Sequence, residues 1–297
     1  MITVNIFGAF GHLHQDHGRY SMTDNRVPKN WKWTRNKMDN NLVTIFTDNE
    51  MCNTELVKSV ESKYKVGMIV EPPQVNPNVY NVLNKIVDNF DFIITYNKDL
   101  INTYPNKLRY YPYGGSWIFE DYIGIYEKSK NVNMLYSNKR ITDGHQLRHH
   151  IAEMYSEIDK FGSGAGTPFE YKEEILAPYR YSVVVENSQI RGYFSEKLLD
   201  TFALGTVPIY WGTPDIGDYF DKRGMIIFND LVELGPILRD LTPEKYEAML
   251  PYIQTNLNLV RTYYCQEDWL YDNYFADLNH LYDFDLTENS IIFDIGA

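Results

Sequence analysis

Apolar runs of strand length, separated by segments with helical spacing, are the feature that most limits what this 297-residue chain can fold into. In the first half of the sequence these runs lie at 2–7, 42–47, 66–70, 90–96 and 108–113. Between two of them, residues 75–90 repeat apolar side chains at the period of a helix. Continuous apolar strands are typical of strands buried on both faces, and intervening helices are typical of crossover connections. The first half therefore predicts a parallel α/β sheet.

The second half of the chain repeats this alternation of strands and helices without repeating the sequence. Strand patterns lie at 133–137, 158–162, 181–187, 206–212 and 224–228. Helical patterns lie at 143–157, 170–177, 195–204 and 231–282. Residues 111–122 are rich in Gly, Pro and aromatic side chains and lack a clean period, which favours a domain junction there. We expect an N-terminal α/β domain over 1–125, a C-terminal α/β domain over 126–282 and a tail at 283–297, with a ligand cleft between the domains.

Charge and composition exclude several classes of partner. With a formal net charge of −12, the chain lacks the basic surface that nucleic acids or anionic membranes require. Its two cysteines, Cys52 and Cys265, are far apart and form neither a metal-binding spacing nor a disulfide framework. No segment reaches the roughly 20 apolar residues that span a bilayer, and the N-terminus lacks the features of a signal peptide. We expect a cytoplasmic protein with no nucleic-acid or membrane partner.

The helix predicted at 195–204 carries a lysine where a lysine is disfavoured. Ser195 can cap the helix and Gly205 can end it, but Lys197 lies in the first turn, where the helix dipole repels a cation. An anion with more than one charge in front of the helix, such as a nucleotide diphosphate, explains that lysine. The alternative is a solvated lysine paired with Glu196 or Asp200.

The segments on either side of this helix favour the anion. The strand at 181–187 ends in polar residues, a short loop leads into the helix, and the strand at 206–212 follows at once. Ligands of parallel α/β sheets bind at the carboxyl ends of the strands, where these polar side chains collect.

Residues 186–212, ENSQIRGYFSEKLLDTFALGTVPIYWG, resemble the signature of glycosyltransferase family 10, the α1,3/α1,4-fucosyltransferases. The E-N-S, Y-x-S-E-K and V-P-I-Y-W-G elements occur in the family's order and spacing, with Val185 where the family commonly has phenylalanine. Weaker resemblances lie at MIVEPPQVNP (68–77), in 90–117 and in 135–155. No part of the first 60 or the last 50 residues resembles the family.

The resemblance implies a GT-B fold, in which two Rossmann-like domains face a cleft and a helical segment ends the chain. It also implies transfer of L-fucose from GDP-β-L-fucose to a sugar hydroxyl, with inversion and without a metal or another cofactor. Lys197 then binds phosphate, Glu196 the ribose and Arg148 the diphosphate, while Tyr193 lines the donor site. Lesser donor-site candidates are Asn138, Lys139, Asn187 and Ser188. For Arg148 the alternative is a solvated helical residue near Glu153 or Asp143.

Inversion requires a carboxylate that takes the proton from the acceptor hydroxyl. Glu71 is the candidate base, because it ends a strand of the first domain and Pro72 and Pro73 stiffen the loop that follows. The alternative for Glu71 is a surface glutamate in a turn. Glu186 is the second candidate for the base.

Other readings of the sequence stay open. The chain could be a GT-B transferase for another nucleotide sugar, or a non-catalytic carbohydrate-binding relative; its expected ligands are a GDP-sugar and a glycan acceptor. An acceptor loop suits the three histidines His12, His14 and His17 better than a metal site does. We attribute the Asp283-x-Asp285 pattern to chance. The final IIFDIGA resembles the opening motif of S-adenosylmethionine-dependent methyltransferases, so it begins a further domain of a longer chain or is a plain tail.

Overall fold

The computed structural model describes residues 1–8 and 27–278 of the chain. Several features of the sequence lie outside the described residues: the three histidines of the GHLHQDHG segment, the Asp283-x-Asp285 pattern and the tail at 283–297. The predictions made for them stay predictions.

A six-stranded, fully parallel sheet forms the first domain. In chain order its strands are β1 (Ile2–Phe7), β2 (Trp31–Arg35), β3 (Asn41–Thr47), β4 (Ser62–Ile69), β5 (Phe92–Thr95) and β6 (Leu108–Tyr110), and their spatial order is β2-β1-β3-β4-β5-β6. Its helices are α1 (Thr54–Ser59), α2 (Pro77–Ile86) and α3 (Lys98–Thr103). Apart from β2, every strand was predicted to within a few residues. The edge strand β2 alternates buried and exposed side chains, so its sequence contains no continuous apolar run.

A five-stranded, fully parallel sheet forms the second domain. Its strands are β7 (Lys130–Leu135), β8 (Asp159–Phe161), β9 (Tyr179–Val185), β10 (Val207–Trp211) and β11 (Ile226–Ile227), in the spatial order β11-β10-β9-β7-β8. Its helices are α4 (Asp143–Met154), α5 (Lys172–Leu176), α6 (Glu196–Ala203), α7 (Leu231–Arg239) and α8 (Pro243–Tyr263). The central strands β9 and β10 are buried almost throughout, as the predicted two-faced packing requires.

The last described segment returns to the first domain. Helix α9 (Gln266–Leu270) continues as one π-helical turn, Tyr271–Phe275, and its apolar side chains pack into the core formed by β1 and β2. Trp33 Nε1 also donates a 2.9 Å hydrogen bond to the buried carboxylate of Glu267. The division made from the sequence had grouped this segment with the second domain. The chain therefore crosses between the domains twice, first between β6 and β7 and again between α8 and α9.

The domains meet along a cleft that several side chains cross. Beside the end of β4, Gln74 donates from Nε2 to Asp143 Oδ2 (2.9 Å) at the start of α4. At α3, Lys98 Nζ lies 2.8 Å from Asp215 Oδ2 of the second domain. Two Rossmann-like α/β domains that enclose a cleft in this way form the GT-B architecture.

Candidate active site

The site begins at the turn that joins β9 to α6. Glu186, directly after β9, is fully buried, and its carboxylate accepts hydrogen bonds from Ser195 N (2.9 Å) and Ser195 Oγ (2.6 Å). The Ser195 side chain accepts in turn from Lys197 N and caps α6, as predicted. Gly192 in the same turn has φ +85°, and a Cβ there would meet Tyr96 O of the first domain at 2.3 Å. The turn is therefore fixed against both domains.

Lys197 and Glu196 form a charged pair at the first turn of α6. Lys197 Nζ lies 3.1 Å from Glu196 Oε1 and 3.1 Å from Ser195 Oγ, and 27% of its side chain is exposed. Burial acts to raise the pKa of Glu196, but the charges of Lys197 and Lys172 outweigh it and bring that pKa to about 2. The pairing that the sequence left as an alternative is present, and Lys197 still presents a positive charge to the cleft.

Arg148 lies under the cleft and not in solvent, which corrects the alternative drawn from the sequence. It is 4% exposed, with Nε donating to Val185 O (3.0 Å) and Nη2 to Asn187 Oδ1 (2.6 Å). Its helix can approach β9 this closely because residue 144 is glycine: a Cβ there would lie 1.7 Å from Glu186 O. The close approach brings the guanidinium beside the turn that holds Lys197.

The other donor-site candidates lie at the carboxyl ends of neighbouring strands. Asn138 and Lys139 are exposed just beyond β7, and Asn187 and Ser188 are half-buried beyond β9. The ring of Tyr193 is buried between aromatic rings of the first domain, 4.7 Å from Tyr96 between centroids. The structure thus brings the predicted donor-side residues to one edge of the second sheet.

Glu71 faces that edge from the first domain. It is half-buried two residues after β4, and burial raises the pKa of its carboxyl. The positive charges of Lys197 and Lys139 act in the opposite direction, and Glu196 adds to the rise. The candidate base and the candidate phosphate ligand therefore interact electrostatically across the cleft.

Three further residues at the cleft were missed in the sequence. Asp48 is buried at φ +44° and accepts a 3.0 Å hydrogen bond from Val70 N and a longer one from Glu71 N. Burial raises its pKa to about 7. Burial also raises the pKa of Tyr113, which Glu71 and Glu196 raise further. His145, in the first turn of α4, is 5% exposed. The sequence pointed to only one of these three residues, Tyr113, because it lies in the P-Y-G segment.

A polar cavity adjoins Asp48 on the first domain. It encloses about 410 Å³ and lies at the carboxyl ends of β1, β2 and β3, where its wall includes Arg35, Asn36, Glu50 and Asn76.

Two negative findings concern the same described residues. Within 1–8 and 27–278, no three His, Cys, Asp or Glu side chains are grouped closely enough to hold a metal ion. In that part of the chain, no helix combines the length and the apolar character needed to cross a membrane.

The second domain matches a known family model. The model describes the C-terminal domain of glycosyltransferase family 10 (fucosyltransferase), and it matches residues 125–251. These residues are similar to a family 10 domain. The match includes β7 to β11 and α4 to α6, together with all the donor-side residues described above, and it confirms the resemblance seen in the sequence.

Individual relatives, which are fucosyltransferases by name, are similar to this chain over shorter stretches. Alpha-(1,3)-fucosyltransferase FucT of Helicobacter pylori is 36% identical over 59 residues, which cover 20% of this chain and 12% of that protein. GDP-fucose protein O-fucosyltransferase 3 of Gallus gallus is 33% identical over 85 residues, or 27% of this chain and 18% of that protein. The chain thus covers less than a fifth of either relative.

The fold is shared over a longer part of the chain. A crystal structure of an alpha1,3-fucosyltransferase with GDP superposes on 88% of this chain and 89% of its own, with a TM-score of 0.53 and 15% sequence identity. At that identity the likeness concerns the fold, and it extends the GT-B architecture to the first domain, which the family model does not reach.

Proposed function

We propose that this protein transfers L-fucose from GDP-β-L-fucose to a sugar hydroxyl, with inversion and with no metal in the chemical step. One observation carries the proposal. The half-buried carboxylate of Glu71 on the first domain lies opposite the cationic edge formed by Lys197 and Arg148 on the family 10 domain. A base and a leaving-group site on facing domains are what an in-line displacement requires.

The reaction then runs in one step. Glu71 takes the proton of the acceptor hydroxyl, and the hydroxyl oxygen attacks C1 of fucose from the face opposite the nucleotide. The bond between C1 and the phosphate oxygen breaks, and GDP leaves with the electron pair. Lys197 and Arg148 stabilise the charge that develops on the diphosphate, and the positive end of the α6 dipole adds to their effect. The proton on Glu71 passes to solvent after the product leaves.

Glu71 is a better base than Glu186 in this scheme. Glu186 is fully buried, and both of its oxygens accept hydrogen bonds from Ser195, so its geometry suits a support for the cap of α6. Burial raises the pKa of both carboxyls and Lys197 opposes that rise in both, so exposure separates them: Glu71 is half-buried and open to an acceptor hydroxyl. A raised pKa favours proton uptake by a general base near neutral pH.

The test is incubation with GDP-fucose and a panel of acceptors that contain N-acetyllactosamine, glucosamine or galactose, with and without EDTA. We expect fucosylated product or slow release of fucose, unaffected by EDTA, and an α-linkage by NMR. Parallel thermal unfolding with GDP and UDP separates donors, because a ligand that binds the folded state raises its Tm. Stabilisation by UDP alone, or no turnover together with no GDP binding, would sink the proposal.

A protein acceptor is the second candidate, because one relative is a protein O-fucosyltransferase. Folded glycoprotein domains with and without their glycans belong in the same panel. Transfer to the deglycosylated domains alone selects the protein acceptor, and transfer to free oligosaccharides selects the glycan.

A further inference from the structure

His145 has an unusual place at the start of α4. The helix begins with a capping box in which His145 occupies the third helical position, where glutamate or glutamine is usual. His145 N donates to Thr142 Oγ1 (3.2 Å), and Thr142 N donates back to His145 Nδ1 (3.2 Å). The ring is thus held by its Nδ1 side alone.

Two contacts of Nδ1 bear on which ring nitrogen carries the proton: Thr142 N lies 3.2 Å away and Thr142 Oγ1 lies 2.7 Å away. A backbone N–H can only donate, and the hydroxyl can donate as well, so both contacts are satisfied when Nδ1 of His145 presents its lone pair to Thr142. In a neutral imidazole the proton is then on Nε2. That nitrogen makes no hydrogen bond to the described part of the chain. If it were fully buried, it would be one of the buried polar atoms that lack a partner there, and it is not one of them. Although His145 is 5% exposed, its Nε2–H therefore reaches solvent.

The surroundings keep the ring neutral. Burial lowers the pKa of His145 to about 4, and the positive charges of Arg148, Lys197 and Lys139 add to that effect. Since all three cations belong to the donor-side edge, the open Nε2–H lies in the same electropositive region. A neutral donor can bind an anion there without adding a fourth positive charge that the other three would repel.

We propose that His145 is a further ligand of the donor diphosphate, with Nε2–H donating to a phosphate oxygen beside Lys197 and Arg148. This inference rests on the proposed function and adds a residue to its leaving-group site. The proton stays on Nε2 throughout, and the hydrogen bond strengthens as charge builds on the departing diphosphate. In this role His145 serves both as half of a helix cap and as a catalytic residue.

The variant that separates the two roles is His145→Asn. The side-chain oxygen of asparagine can take the place of Nδ1 and accept from Thr142 N, so α4 keeps its cap, but asparagine has no atom in the place of Nε2. His150→Asn, on the exposed side of the same helix, is the matched control. Calorimetry with GDP and with guanosine, at pH 7, distinguishes a phosphate contact from a base or ribose contact.

We expect His145→Asn to bind GDP about tenfold more weakly, the effect of one lost hydrogen bond to a charged group, and to bind guanosine like wild type. We also expect kcat to fall by a larger factor than KM changes, since the hydrogen bond from Nε2 to the diphosphate is strongest in the transition state. Long-range ¹H–¹⁵N NMR of the wild-type imidazole should show the Nε2–H tautomer and a shift of that nitrogen on adding GDP.

Unchanged GDP affinity and kcat in His145→Asn overturn the inference while the proposed function stands. An equal loss for guanosine, or an Nδ1–H tautomer in the NMR spectrum, also overturns it. Wild-type protein that binds no GDP overturns the proposed function and this inference together. If His145→Asn fails to fold, the tautomer and its response to GDP in wild type decide alone.

Discussion

Gln74 and Asp143 exchange two hydrogen bonds across the cleft: Gln74 Nε2 donates to Asp143 Oδ2 (2.9 Å), and Asp143 N donates to Gln74 Oε1 (3.2 Å). Gln74 lies three residues after the proposed base, and Asp143 begins the helix that carries Arg148 and His145. This pair therefore joins the loop of the base to the helix of the leaving-group site and sets the width of the cleft between them.

Gln74→Ala should loosen this closed arrangement. Both partners are exposed, so we expect a modest effect, a rise in KM for GDP-fucose of about threefold to tenfold with little change in stability. Steady-state kinetics and thermal unfolding measure the two quantities. Gln254→Ala is the matched control, because Gln254 makes a similar exposed side-chain bond to Asn258 on α8, away from the cleft. Equal kinetics for the two variants would contradict a role in closure.

Lys197→Ala should remove a positive charge from the departing diphosphate. We expect kcat/KM to fall by about 100-fold to 1000-fold, as for the loss of one preorganised electrostatic contact. Because Lys197 holds down the pKa of Glu71, the acid limb of the pH profile should also move to higher pH. Lys245→Ala, which breaks the exposed pair with Asp240 (2.6 Å), is the control. An unmoved acid limb would show that Lys197 and Glu71 are not coupled.

Glu71→Gln should abolish proton removal while leaving the donor site intact. We expect kcat to fall by about 100-fold to 10,000-fold with GDP affinity unchanged, measured by radiolabel transfer and calorimetry. In wild type, activity requires ionised Glu71, so kcat/KM should fall as the pH drops through the raised pKa of that residue. Glu55→Gln on α1 serves as the control. Near-normal turnover by Glu71→Gln would move the base to another carboxylate.

Asp48 should make the protein less stable as the pH rises towards neutrality. Burial raises its pKa from 3.8 to about 7, so between those values the folded state holds a proton that the unfolded state has lost. The free energy of unfolding should therefore decline between about pH 4 and 7, by at most about 1.4 kcal/mol per pH unit from this group.

Urea unfolding of Asp48→Asn at pH 5, 6 and 7 checks this decline. The amide oxygen still accepts from Val70 N but carries no charge, so the variant should lose the decline that wild type shows. Asp88→Asn is the control, since the Asp88 side chain is 89% exposed. If the free energy of unfolding changes with pH in the same way for wild type and Asp48→Asn, then Asp48 stays ionised in the folded protein.

The two parallel sheets could be predicted from the sequence because most of their strands are buried on both faces and therefore appear in it as continuous apolar runs. It missed β2, α1 and α3, since β2 alternates and the two helices are only six residues long. Lys197 and Glu71 were found through a motif, whereas His145 and Asp48 were not. Their chemistry depends on Thr142 N and Val70 N, contacts that exist only after the chain has folded.

The return of the last described segment to the first domain bears on the order in which the protein can mature during synthesis. Ile2, Val4 and Trp31 leave the ribosome before the second domain, whereas their packing partners Leu270 and Phe275 leave it after that domain. The second domain, whose strands and helices are continuous in sequence from Lys130 to Tyr263, can complete its core before then. Of these two domains, the one that is translated first is therefore the one whose core is completed last.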